Sequence, residues 1–278
     1  MARRFIQCDV FAASPTKGNA LAVVVDGDGL TDAAMQAFAR WTNLAETTFL
    51  MAPDVADADY KVRIFTPARE MPFAGHPTLG SCMAWLKAGG TPRDAARVRQ
   101  QCEIGLVEID LSGPMPAFAA PPTKITAMAE DEKARIAERL SLRQDRIVQT
   151  ATLNNGPVWQ VFELASAEDV LAVDASRVRW PEFRAIGLIG AAAEGADIDY
   201  EVRMLAPSSG MSEDPITGSL NAALGMWLRA QGRLTEPIRI AQGRCAHREG
   251  QVSIRPDADD AIWIGGDVHI VVEGTVSL

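Results

Sequence analysis

The sequence carries little of what marks a cofactor site, a metal centre or a membrane anchor. Its four cysteines, Cys8, Cys82, Cys102 and Cys245, are widely scattered with no CxxC, so they read as reduced thiols and exclude a disulfide framework. Three histidines, His76, His247 and His269, lie far apart and form no HExxH, so no metal site is expected. No G-x-G-x-x-G follows a strand pattern and no GxxxxGK precedes a Ser or Thr, so nucleotide cofactors are not implied and no cofactor is expected. The longest uncharged apolar runs, 20–25 and 185–193, fall far short of the ~20 residues of a membrane span. Gln7 and Asp9 interrupt any signal-peptide core near the start, and the expectation is a cytoplasmic protein without a membrane partner. Lys+Arg 27 against Asp+Glu 36 leaves a formal charge of -9, which repels a phosphate backbone and argues against nucleic acid.

What remains is an ordinary globular composition, 47% hydrophobic and 23% charged, over 278 residues. That length suggests about two domains. The first strand candidate, RFIQCDVF, alternates with period two, and the turn SPTKGN leads into a second, ALAVVV. Thr31 is placed to cap a helix carrying Ala34, Met35, Phe38 and Trp41 on one face and ending near Asn43. TTFLMAP, DYKVRIFTP and EIGLVEIDL extend the strand series. The proline-rich stretch 113–124 favours an extended connector. It sets the expected division: a first lobe over 1–118, completed by a C-terminal strand over 266–278, and a second over 119–265. In the second lobe AEDEKARIAERL reads as a helix with its charges matched to the macrodipole, and PVWQVFEL, DYEVRMLAP, EPIRIAQG, GQVSIRP and AIWIGG read as strands.

The chain also resembles itself. Residues 62–90 and 202–232 share VR, a proline, a His-Pro or Asp-Pro pair, Gly-Ser and Trp-Leu in the same order. Val62-Arg63 pairs with Val202-Arg203, Pro67 with Pro207, His76-Pro77 with Asp214-Pro215, and Trp85 with Trp227. Because Trp227 lies four residues farther from its Pro pair, the second helix is expected to be longer by about one turn. Each copy reads as a strand, a proline-bearing loop and a helix with Pro in its first turn.

This layout supports two readings. His76 and Asp214 could simply cap helices in a duplicated domain. They could also bring one titratable group each to a ligand, with the N–H groups and partial positive charge of two helix N-termini holding a small carboxylate. Glu46 in NLAETTFL is a third candidate, a lone acid among apolar residues whose burial would favour the neutral form needed by a general acid. Residue type alone favours an exposed loop acid. Ser219, without a clear base partner, reads as a helix-start hydrogen-bonding group and not as a nucleophile.

The segments DVFAASPTKGNALAVV, LAETTF, RIFTPAREMPFAGHPTLGS and EDPITGS, in this order over nearly the whole length, resemble the PhzF family of phenazine-biosynthesis-like isomerases, within the diaminopimelate epimerase-like superfamily. The resemblance implies an α/β (α+β) fold of two pseudo-symmetric lobes, each a curved, barrel-like sheet around a central helix, with a ligand cleft between them and commonly a homodimer. It also implies cofactor-free isomerisation by proton relocation. Glu46 then takes the acid/base role, with His76, Asp214 and Ser219 as further catalytic residues. For Gly75 and Gly218, with Pro77, Thr78 and Thr217 beside them, it implies substrate carboxylate binding.

Two features depart from the wider pattern. Epimerases of the superfamily use one cysteine from each lobe, and FAGHPT and EDPITGS contain none, which argues against a two-thiol epimerase. Asn221 stands where the family often has a small apolar residue. The leading expectation is a cytoplasmic isomerase that moves a proton within a small amino- or hydroxy-substituted carboxylate, cyclic ones included. The alternatives are a non-catalytic metabolite-binding module of the same fold and a racemase using His76 and Asp214 as opposed bases.

Overall fold

Alternating apolar residues and Gly- or Pro-bearing turns build a chain dominated by strands, which the computed structural model describes over residues 1–177, 185–206, 212–257 and 261–278. Two units emerge: residues 1–119 with 265–278, and residues 120–264. Pro207, one half of a repeat pair, lies outside the described residues.

In the first unit β1 (Ala2–Val10) pairs antiparallel with both β2 (Asn19–Val24) and the C-terminal strand Val268–Ser277. Helix α1 (Asp32–Thr42) follows, capped by Thr31, whose side chain accepts from Ala34 N–H; such a cap contributes about 1 kcal/mol. Asn43 closes it in the left-handed region at φ 53. β3 (Glu46–Met51) then runs parallel to β2, and β4 (Tyr60–Phe65) lies antiparallel to β3. The two-residue β5 (Glu70–Met71) leads into α2 (Gly75–Lys87). β6 (Arg97–Cys102) joins β4 in parallel, and β7 (Gly105–Asp110) and β8 (Ala117–Ala119) complete the sheet.

The second unit repeats this order. β9 (Lys124–Thr126) flanks β10 (Ile147–Asn154), with α3 (Glu130–Arg139) between them in sequence. β10 pairs antiparallel with β11 (Val158–Leu164), α4 (Ala167–Ala172) follows, and β12 (Ala185–Ala191) runs parallel to β11. β13 (Tyr200–Leu205), β14 (Glu213–Asp214), α5 (Gly218–Ala230), β15 (Ile238–Gln242), β16 (Gly250–Pro256) and β17 (Ile262–Gly265) then mirror the pairings from β4 onward.

In each unit one apolar helix is held inside its sheet and amphipathic helices cover the outside. Residues 75–82 of α2 are all buried, and Gly80 lets the helix approach the sheet, since a Cβ there would lie 2.5 Å from Leu21 Cδ2. α5 is likewise buried along most of its length, with Gly187 of β12 making room for Leu220. On the opposite face, Met35, Phe38 and Ala39 of α1 pack on Val24, Phe49 and Phe65, and Ile136, Ala137 and Val170 of α3 and α4 pack on Phe162, Ile186 and Leu188. The run AIGLIGA therefore forms a strand buried on both faces, which explains its lack of alternation. Among the described residues no helix is long and apolar enough to cross a membrane.

The duplication stands, but its residue register differs from the sequence expectation. α2 and α5 are both 13 residues long, so no extra turn exists. Glu70 and Glu213 occupy matching positions opposite Phe65 and Leu205, and Gly75 and Gly218 both open their helices. EMPFAGH therefore superposes on EDPITGS without a gap. His76 corresponds to Ser219, and Asp214 corresponds to Met71. Pro77 sits in the first turn of α2 as expected, whereas Pro215 precedes α5.

Candidate active site

In the first unit the site is built on β2, β3 and the start of α2. Glu46 opens β3 opposite Leu21, and its parity puts it on the same face as Thr48, which meets Ser81 of α2 at 2.9 Å. His76, second residue of α2, sits in that direction. Its Nε2 lies 3.2 Å from Glu46 Oε2, with side-chain exposures of 5% and 17%. The two atoms are in contact without the alignment of a formal hydrogen bond. Nor is this a charged salt bridge: burial pushes His76 down to about 3, so the ring is neutral at pH 7.

The other ring nitrogen shows a residue the sequence reading missed. Asn19 Nδ2 lies 3.3 Å from His76 Nδ1, and Asn19 is almost fully buried. With the Asn19 amide nitrogen donating, Nδ1 accepts and the ring proton resides on Nε2, close to Glu46 but out of line with its oxygen. Asn19 is delivered by the turn after β1. Gly18 donates its N–H to Asp9 Oδ2 at 2.8 Å, and a Cβ on Gly18 would sit 2.2 Å from Val10 O. Phe11 and Thr16 in the same turn hold φ of 67 and 71, a costly conformation for residues with side chains. The signal in the sequence is the polar Asn19 that closes SPTKGN directly before the apolar run 20–25.

In the second unit Asp214, Thr217, Gly218 and Ser219 gather at the start of α5. Thr217 Oγ1 donates to Asp214 Oδ2 at 2.5 Å. Ser219 is partly exposed, and its carbonyl accepts from Asn155 Nδ2 at 2.8 Å, which is steadied in turn by Trp159 Nε1. Two buried glutamines escaped the sequence reading. Gln242 of β15 bonds the Asp214–Thr217 segment, and Gln100 of β6 donates to Thr78 Oγ1 at 3.1 Å while accepting from Tyr60. Each is a polar residue at an inward-facing strand position, a signal present in QQC and IAQG.

The remaining candidates divide by availability. Thr78 is fully buried and its hydroxyl, besides accepting from Gln100, donates to Ala74 O at 2.9 Å, so its side chain serves the helix start. Gly75 and Pro77 are buried in the first turn of α2. Cys82 lies in the body of α2 and burial pushes its thiol up to about 12, unsuited to act as a base. Among the described residues no group of three or more His, Cys, Asp or Glu is placed to hold a metal ion.

The chain is similar to known proteins over nearly its whole length. The family model for phenazine biosynthesis-like proteins, PhzC-PhzF, matches residues 8–274. The chain is 31% identical to antisense-enhancing sequence 1 of Schizosaccharomyces pombe, over 97% of each chain. It is 32% identical to trans-2,3-dihydro-3-hydroxyanthranilate isomerase of Pseudomonas fluorescens, over 86% of this chain and 85% of that one. The crystal structure of a Bacillus anthracis phenazine biosynthesis protein of the PhzF family shares the fold, with a TM-score of 0.85 at 20% identity over the full length of both chains. With the match running through both units and both site clusters, the chain belongs to the PhzC-PhzF, phenazine biosynthesis-like, family.

Proposed function

We propose that this chain, an isomerase of its family, relocates a proton within a small amino- or hydroxy-substituted carboxylate, with Glu46 as the acid/base group and no cofactor. The contact between Glu46 Oε2 and the Nε2 of a neutral, buried His76 carries this reading. An imidazole held neutral does not compete for the proton being moved. Its Nε2–H leaves Glu46 able to take a proton from one carbon and return it to another, so the group ends each turnover as it began. Apo geometry of this kind commonly tightens when substrate excludes water.

His76 and Asp214 would orient the polar substituents, and Ser219 with the nearby amides at the start of α5 would hold the carboxylate, where N–H groups and the helix dipole favour an anion. The racemase reading is disfavoured. It takes His76 and Asp214 as matching residues of the two copies, and in the duplication His76 matches Ser219 instead.

The test is proton NMR in D₂O with trans-2,3-dihydro-3-hydroxyanthranilate, the substrate in one relative's name, and a panel of small amino and hydroxy carboxylates. Deuterium entering a carbon position of one compound, with migration of its double bond, is the expected result. Thermal stabilisation by a compound that stays chemically unchanged would instead favour a binding module.

A further inference from the structure

Gln242 is fully buried at the end of β15, and all four hydrogen-bonding positions of its amide are used. Oε1 accepts from Thr217 N–H at 3.1 Å and from Asn221 Nδ2 at 2.8 Å. Nε2 donates to Thr217 Oγ1 at 3.1 Å and to Asp214 O at 3.3 Å. Backbone groups fix the direction of every bond. Thr217 N–H can only donate, so the amide end facing it is oxygen, and Asp214 O can only accept, so the end facing it is nitrogen. Asn221 is fixed in the same way, since its Nδ2 also donates to Thr217 O at 3.0 Å. Thr217 Oγ1, already accepting from Gln242, therefore points its own proton at Asp214 Oδ2.

We propose that Gln242 is a positioning residue that acts through Thr217 to aim Asp214 and keep its carboxylate in the hydrogen-bond-accepting form. This rests on Asp214 belonging to the site in the proposed isomerase. The first unit supplies a contrast. There Gln100 donates to Thr78, which matches Asn221 and like it donates to the carbonyl of the residue before the helix, Ala74 O, while Ala74 stands in the place of Thr217 and offers no hydroxyl to a carboxylate. Holding the helix start thus needs no hydroxyl at the residue before the helix; the second unit adds Thr217 and the acid together. Asn221 Oδ1 is buried without a partner, a penalty an apolar side chain would avoid, so the amide is there for what its nitrogen orients. Glu213, the acid adjacent to Asp214, is taken by Arg203 through two bonds of 3.1 and 2.7 Å.

Carboxyl-carbon NMR of protein labelled at aspartate, with Asp214 assigned through Asp214→Asn, tests this without substrate. Thr217→Val removes the donor and raises the Asp214 titration by about 1 unit. Gln242→Glu, once the introduced carboxyl ionises, turns the Thr217 hydroxyl away from Asp214 and raises it by at least as much. The introduced charge also acts directly, so the decisive comparison is Gln242→Glu in the Thr217→Val background, where the shift is smaller by the share the hydroxyl carried. An Asp214 titration unmoved by Thr217→Val, or equal shifts from Gln242→Glu in both backgrounds, would overturn the proposal. If an exchange reaction is found, the acidic limb of its pH profile moves upward with Asp214. If no carboxylate reacts, the isomerase reading fails while the titration still decides the role of Gln242.

Discussion

His76 and Glu46 meet at 3.2 Å although one comes from the first turn of a helix and the other opens a strand. The contact carries no imidazolium, because burial empties the ring of its second proton, and any charge the pair holds belongs to the carboxyl. A buried amide, Asn19, fixes the ring from behind. It gives the proposed proton carrier, Glu46, a neighbour that does not compete for the proton, and it distinguishes two side chains that residue type alone leaves interchangeable.

Burial of a neutral histidine makes the fold acid-sensitive. His76 is depressed from 6.5 to about 3, so the unfolded chain binds a proton that the native one refuses, and stability falls as pH drops from about 6.5 toward 3. The slope is at most about 1.4 kcal/mol per pH unit for one proton. His76→Gln should flatten the dependence of the urea midpoint on pH between 7 and 4. Parallel slopes for the two proteins would show that His76 titrates normally in the fold.

The turn that delivers Asn19 depends on the absence of a side chain at Gly18. Its Cβ would meet a backbone oxygen 2.2 Å away, which cannot rotate aside. Gly18→Ala should therefore destabilise by about 1–3 kcal/mol and impair turnover by displacing Asn19 from His76. Wild-type stability and rate in that variant would mean the turn moves freely.

The duplicated Arg-Glu pairs should differ in worth. Arg203 is 2% exposed and binds Glu213 and the carbonyls of Val170 and Val173, whereas Arg63, 21% exposed, shares Glu70 and the exposed Asp32. Arg203→Met leaves Glu213 buried without its partner and should cost about 3–5 kcal/mol. Arg63→Met should cost about 1 kcal/mol. Chemical denaturation of both variants checks the ordering, and equal losses would refute it.

Much of the fold was legible where local chemistry decides it. Thr31, the apolar face of α1 and the period-two strands β4 and β13 each carry their own instruction. β12 and β6 were not read as strands, the first because burial on both faces removes alternation, the second because the polar Gln100 takes a buried position in RVRQQC and breaks the apolar face. The repeat was visible, but the His-Pro and Asp-Pro pairs drew the alignment five residues away from the register that strand pairing imposes at Glu70 and Glu213. Asn19, Gln100 and Gln242 stand out locally only as polar letters in SPTKGN, QQC and IAQG, and their meaning lies in partners distant in sequence.

The most direct test of the account is deuterium incorporation by wild type and Glu46→Gln, on the compound that wild type exchanges in D₂O. The substitution keeps the side chain's shape and removes its titrating group. Exchange should vanish in Glu46→Gln while thermal stabilisation by the same compound persists. Exchange at the wild-type rate in Glu46→Gln would contradict the assignment and move the proton carrier to another residue.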